Sequence, residues 1–179
     1  QDGAFKNRID IKFVIAKNLK SVSSYLFWDY NLRLAFMPEV ESIAQGAFSG
    51  CYLTAICLLK VKTIKYAAFS GCKLLNQVFL PVCEELGINS FAGCESIKIL
   101  DLPSVKKVDE EPFKGCSSLT DLIIPQVEQM RGDCFYSCDV LESIDSKLDA
   151  KRFVCSGWCR ENDGCVICRG ELADCLKKG

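Results

Sequence analysis

The side chains in this chain best suited to chemistry are its thirteen cysteines. Five crowd the C-terminal end as Cys155-x3-Cys159-x5-Cys165-x2-Cys168-x6-Cys175. Four thiolates, from Cys155, Cys159, Cys165 and Cys168, suffice for a tetrahedral zinc. The five-residue gap between the pairs is much shorter than the ~12–20 of a zinc ribbon. Disulfides are the alternative in an oxidising compartment, with the odd fifth cysteine pairing elsewhere or staying free. Zinc, disulfides or neither all remain open for this tail. A redox role for Cys165 and Cys168 lacks the surrounding βαβ pattern such dithiols use. The other acid–base candidates are thin. There is no histidine, which removes the commonest general base and metal ligand. Adjacent acids stand at Glu84-Glu85 and Asp109-Glu110-Glu111; a solvated loop explains them more simply than an acid–base pair. No Gly-rich phosphate loop and no Gly-x-Ser-x-Gly is present. The chain reads as a non-enzyme with no firm cofactor.

The remaining chemistry-bearing residues are placed by a repeat. Ala47-Phe48-Ser49-Gly50-Cys51 recurs as Ala68–Cys72, Ser90–Cys94, Pro112–Cys116 and Cys134–Cys138, with weaker copies at Ala4–Asn7 and Leu26–Tyr30. Its phenylalanines stand at 5, 27, 48, 69, 91, 113 and 135, in steps of 21 or 22 residues. Between motifs runs an apolar series, as in Leu119, Leu122, Ile124, Pro125, Val127 and Met130, where alternation marks a short half-buried strand. The two 21-residue units lose one residue just before that strand. Proline after it ends the pairing. One unit has too few apolar groups to offset chain ordering, so each must cover its neighbour. The period therefore predicts a solenoid with a parallel sheet on one wall and stacked phenylalanines on another.

The Ala-Phe-Ser-Gly-Cys motif followed by Leu-x-x-Leu-x-Leu-Pro resembles the BspA-like (Treponema pallidum-type) leucine-rich repeat over roughly residues 3–145. That resemblance implies an α/β-type solenoid, a right-handed superhelix with one short parallel strand per repeat. It also implies kinship with surface and adhesion molecules of bacteria and protists. Residues 1–148 are assigned to about seven repeats, the first truncated, and residues 149–179 to a Cys-rich cap.

Repetition then sorts the cysteines. Cys51, Cys72, Cys94, Cys116 and Cys138 hold one repeat position and should form a ladder. Parallel side chains one strand apart are spaced too widely for the ~3.8 Å Cβ separation of a disulfide, so free, buried thiols are expected. The alternate strand positions should point outward across a concave sheet: Phe13, Ile15, Leu34, Phe36, Ala55, Cys57, Gln77, Phe79, Ile99, Asp101, Asp121 and Ile123. Their apolar members would make a stripe able to exceed the largest patch typical of a monomer, ~300–600 Å². The expected function is protein or surface-ligand recognition by this face, with Asp101 and Asp121 tuning specificity. Strand propensity of Ile and Phe is the competing explanation.

The net charge of −1 gives no sign of a nucleic-acid surface, and no apolar run approaches a membrane span. An extracellular or cell-surface location is expected, against an intracellular scaffold with a zinc-binding tail. The start inside a repeat, without Met or signal region, suggests a processed or cut end.

Overall fold

A computed structural model describes residues 11–148. The chain winds through successive coils, each built from short strands joined by turns. The first strands of the coils are β1 (Phe13–Ile15), β3 (Leu34–Phe36), β5 (Ala55–Cys57), β7 (Gln77–Phe79), β9 (Ile99–Asp101), β11 (Asp121–Ile124) and β13 (Ser143–Ser146). The second strands are β2 (Ser21–Val22), β4 (Ser42–Ile43), β6 (Thr63–Ile64), β8 (Glu85–Leu86), β10 (Lys107–Val108) and β12 (Gln129–Met130). Every pairing is parallel and in repeat register, as Leu34 with Ala55 and Ile43 with Ile64. The first strands form two sheets, β1-β3-β5-β7 and β9-β11-β13, while the second strands form one continuous six-stranded sheet.

Two features of the expected α/β fold are corrected. Each complete coil carries two strands rather than one, and the described residues contain no helix. The reason is backbone conformation around the phenylalanine motif. From the Phe27 motif to the Phe113 motif two positions per coil hold positive φ, one two residues before the Phe and one two residues after it. Gly46 (58°), Ala67 (51°) and Asn89 (55°) occupy the first; Gly50 (73°), Gly71 (71°), Gly93 (69°) and Gly115 (69°) occupy the second. Left-handed residues spaced so closely interrupt any right-handed helix. The motif is instead a series of turns whose amides bond to the next coil, as Phe48 N to Ala68 O at 2.8 Å and Gly71 N to Ala92 O at 2.7 Å.

The core is a set of columns. Phe27, Phe48, Phe69, Phe91, Phe113 and Phe135 are all fully buried. Their rings stack at 5.3 Å between Phe27 and Phe48, Phe48 and Phe69, and Phe69 and Phe91. Phe113 and Phe135 stack at 6.0 Å. Val40, Val61, Cys83, Val105 and Val127 form another buried column, and Ile43, Ile64, Leu86 and Val108 line the second sheet. Stacking like on like buries each apolar group against its own equivalents, which is how single-coil deficits are met in a solenoid.

The outside carries a column of a different kind. Lys20, Glu41, Lys62, Glu84, Lys106 and Glu128 occupy one repeat position with alternating sign, held adjacent by backbone bonds such as Glu84 N to Lys62 O and Lys106 N to Glu84 O. Lys106 pairs with Glu84 at 3.0 Å and Lys20 with Glu41 at 3.6 Å. Exposed pairs of this kind contribute little stability individually, ~0–1 kcal/mol.

Candidate binding face and thiol ladder

Alternation along the first strands divides side chains between the core and solvent. The central residues Ile56, Leu100, Leu122 and Ile144 are buried, with Val14, Ala35 and Val78 partly so. Their neighbours form two outward rows. One runs Phe13, Leu34, Ala55, Gln77 and the other Ile15, Phe36, Cys57, Phe79, by strand register. Ile99, Asp121 and Ser143 continue the first row, and Asp101, Ile123 and Asp145 the second.

The apolar members lie open to solvent: Phe13 is 64% exposed, Ile15 71%, Phe36 53%, Phe79 55% and Ile99 59%. Leu34 is exposed as well, and Gln77 and Asp101 also face solvent. Ile123 and Asp121 are half-buried, and Asp121 accepts a hydrogen bond from the Ser143 hydroxyl. The rows border an open groove of about 740 Å³ whose lining includes Phe13, Ile15, Leu34, Phe36, Cys57 and Phe79, with Ile99 and Asp101 at its far end. The sequence-predicted face is thus brought together on one side of the molecule. Sequence reasoning missed Asp145, which extends the acidic end; its position two residues after Ser143, matching Ile123 after Asp121, was the signal available.

The cysteine ladder stands on another wall and is chemically quiet. Cys51, Cys72, Cys94, Cys116 and Cys138 are buried free thiols. Each S–H donates to the carbonyl of the phenylalanine one coil earlier: Cys51 to Phe27 at 2.8 Å, Cys72 to Phe48 at 3.1 Å, Cys94 to Phe69 at 3.2 Å, Cys116 to Phe91 at 3.3 Å and Cys138 to Phe113 at 3.0 Å. The same carbonyls accept an amide of their own coil, from Tyr30 at Phe27 and from the cysteine at the other four, as Cys94 N to Phe91 O at 3.1 Å. The thiol is therefore a small apolar filler with one donor to satisfy a carbonyl. Burial pushes the Cys51 and Cys116 thiols up to about 12 and those of Cys72 and Cys94 well above the ordinary range. A group so disinclined to ionise is a poor nucleophile and a poor metal ligand. Cys57, by contrast, is exposed in the groove.

The adjacent acids are drawn into surface ion pairs with the following coil or their own: Glu84 with Lys106, Glu85 with Lys107, Asp109 with Arg131 at 3.7 Å, and Glu111 with Lys114 at 2.9 Å. Among the described residues no three metal-ligating side chains converge, and no helix is long and apolar enough to cross a membrane. The tail candidates Cys155, Cys159, Cys165, Cys168 and Cys175 lie outside the described residues, so the zinc and disulfide alternatives stand as they did.

No curated protein matches the chain. Among solved structures it is similar to a leucine-rich repeat protein of Treponema pallidum, with 25% identity and a TM-score of 0.59 over 75% of this chain and 64% of that one. A leucine-rich cell surface protein of Faecalibacterium prausnitzii aligns at 18% identity and a TM-score of 0.44, over 80% of this chain and 62% of that one. A leucine-rich repeat protein of Bacteroides ovatus aligns at 16% and 0.42, over 82% and 58%. The chain thus spans about six-tenths of each of these proteins. The family model for the BspA type leucine rich repeat region matches in six copies, over residues 1–82 and 41–153. With its aromatic column, its thiol ladder and this match over most of its length, the chain belongs to the BspA-type leucine-rich repeat family.

Proposed function

We propose that this chain is a non-catalytic recognition scaffold that binds a protein partner through the outward face of its first strands. The observation that carries the reading is the exposure of Phe13, Ile15, Leu34, Phe36, Phe79 and Ile99 on the outward side of the first strands. Large apolar side chains left in water forfeit burial worth ~1.5–3 kcal/mol each, and a partner recovers it. Strand propensity accounts for Ile and Phe in strands, but equally good formers with a hydroxyl, such as Thr, would serve on a face meant only for water. Asp101 and Asp121, at the far end, would set which partners are accepted. The family resemblance supports a surface-located, adhesive role for this binding.

A second reading has an observation of its own. Cys57 is an exposed thiol with no disulfide among the described residues, as is usual where the compartment is reducing. This favours an intracellular scaffold. Intact mass separates the two: tail disulfides found under non-reducing, denaturing conditions favour the surface reading, and zinc retained in the native protein favours the intracellular one.

The binding test is a double variant, Phe36→Ser with Phe79→Ser, matched to the parent by far-UV circular dichroism and urea midpoint. Partners enriched by the parent in quantitative affinity capture should be lost by the variant and kept by Tyr52→Ser, a substitution at another exposed aromatic. Equal capture by the double variant refutes the assignment.

A further inference from the structure

The outward rows of the first strands contain fourteen positions from β1 to β13, and not one is Lys or Arg. Three are aspartates, Asp101, Asp121 and Asp145. The bases nearest in sequence flank the strands rather than stand on them: Lys12, Arg33 and Lys98 precede them, and Lys17 and Lys147 follow, with Lys147 paired to Glu128 at 3.5 Å. Elsewhere several surface acids have cationic partners, as Glu39 with Lys20 and Lys60, Glu84 with Lys106, Glu85 with Lys107, Asp109 with Arg131, and Glu128 with Lys147, while others such as Glu110 and Glu142 enter no ion pair among the described residues. Among the described residues, Asp101 and Asp145 enter none of these pairs. The outward rows themselves thus carry negative charge at one end only and no base to offset it. The apolar groove reaches that end, because Ile99 and Asp101 complete its lining.

From this complementarity we infer that the occupant of the groove is a polypeptide segment carrying bulky apolar residues followed or preceded by Lys or Arg. The inference rests on the recognition reading above and specifies its partner. The spacing follows from strand geometry. Neighbouring strands lie ~4.8 Å apart and an extended segment rises ~3.3 Å per residue. From Phe36 on β3 to Asp101 on β9 is three strands, ~14 Å, or about four residues of a segment laid across the strands. From Phe36 to Asp145 on β13 is five strands, ~24 Å, or about seven residues. The apolar anchor sits over Phe36, Cys57 and Phe79, and the cation lies four to seven residues away over the aspartates. Apolar burial supplies the affinity, and the charge at one end sets the direction in which the segment lies.

The test is selection of a random twelve-residue phage-displayed peptide library on the immobilised full chain at low salt. Selected sequences should pair aromatic or aliphatic residues with Lys or Arg at that spacing. A labelled synthetic copy of the best sequence, read by fluorescence anisotropy, should bind on the order of tenfold more weakly to the Asp101→Asn/Asp145→Asn variant. Its affinity should also fall as salt rises through ~0.15 M. Apolar peptides with no basic preference, bound equally by the Asn variant, overturn the charge assignment while the groove reading survives. Peptides bound equally by Phe36→Ser/Phe79→Ser overturn that reading too. Failure to enrich any sequence overturns the inference. If sedimentation equilibrium then shows self-association that the Ser variant abolishes, the occupant is a second copy of this chain.

Discussion

Phe69 is the place to test the aromatic column, because it is fully buried and stacked on both sides, 5.3 Å from Phe48 and 5.3 Å from Phe91. Truncation to Ala in Phe69→Ala removes a buried ring from a site whose walls are themselves locked in columns, so collapse around the cavity is limited. Such truncations cost ~3–5 kcal/mol. Because two stacking contacts go with the ring, each ~0.5–1.5 kcal/mol within that total, the upper part of the range is expected, about 4 kcal/mol. With a urea slope of ~2 kcal/mol/M, the midpoint should fall by about 2 M. The assay is urea unfolding followed by far-UV circular dichroism, with the slope checked for constancy. Phe79→Ala is the matched control: the same side chain and the same deletion, but 55% exposed in the groove. It should move stability by no more than ~0.5 kcal/mol. A Phe69→Ala cost below ~1 kcal/mol, or equal costs for the two variants, refutes the division of phenylalanines into core column and outward face.

Two further outcomes follow from the thiols and the surface charges. In the native protein at pH 8, iodoacetamide should label Cys57 well before Cys51, Cys72, Cys83, Cys94, Cys116, Cys134 and Cys138, since these are buried and Cys57 is exposed; peptide mapping by mass spectrometry that found a ladder cysteine modified as fast as Cys57 would contradict the burial argument. Glu39 is held at about 2, below its ordinary 4.5, first by the hydrogen bond from Lys60 and then by that from Lys20. A carboxyl depressed on folding stabilises the native state above its unfolded value and loses that contribution as pH falls. The window here is from about pH 4.5 down to about pH 2. Carboxyl-carbon NMR titration should find the Glu39 midpoint raised in Lys60→Met, and raised less in Lys20→Met; no change in the first would remove Lys60 as the cause.

The sequence by itself determined the period, and with it most of what the fold positions. In a solenoid, residues one repeat apart lie over each other, so Phe48, Phe69 and Phe91 could be assigned to one column, and Phe36 and Phe79 to one outward row, from spacing alone. Inward and outward positions followed from strand alternation, which has a fixed period of two. The backbone of the turns did not follow, because their hydrogen bonds are made to the next coil rather than within the segment. That is why a helix-bearing repeat with one strand was expected and a second strand at Ser42–Ile43 and its equivalents was found. Tertiary structure alone also decided that the first-strand sheet parts between β7 and β9 while the second sheet runs through, and that ladder thiols donate to carbonyls one coil back. The alternating Lys20-to-Glu128 column was written in the sequence, yet its meaning depends on distance. Opposite charges 21 or 22 residues apart attract only once a coil has brought them within a few ångströms.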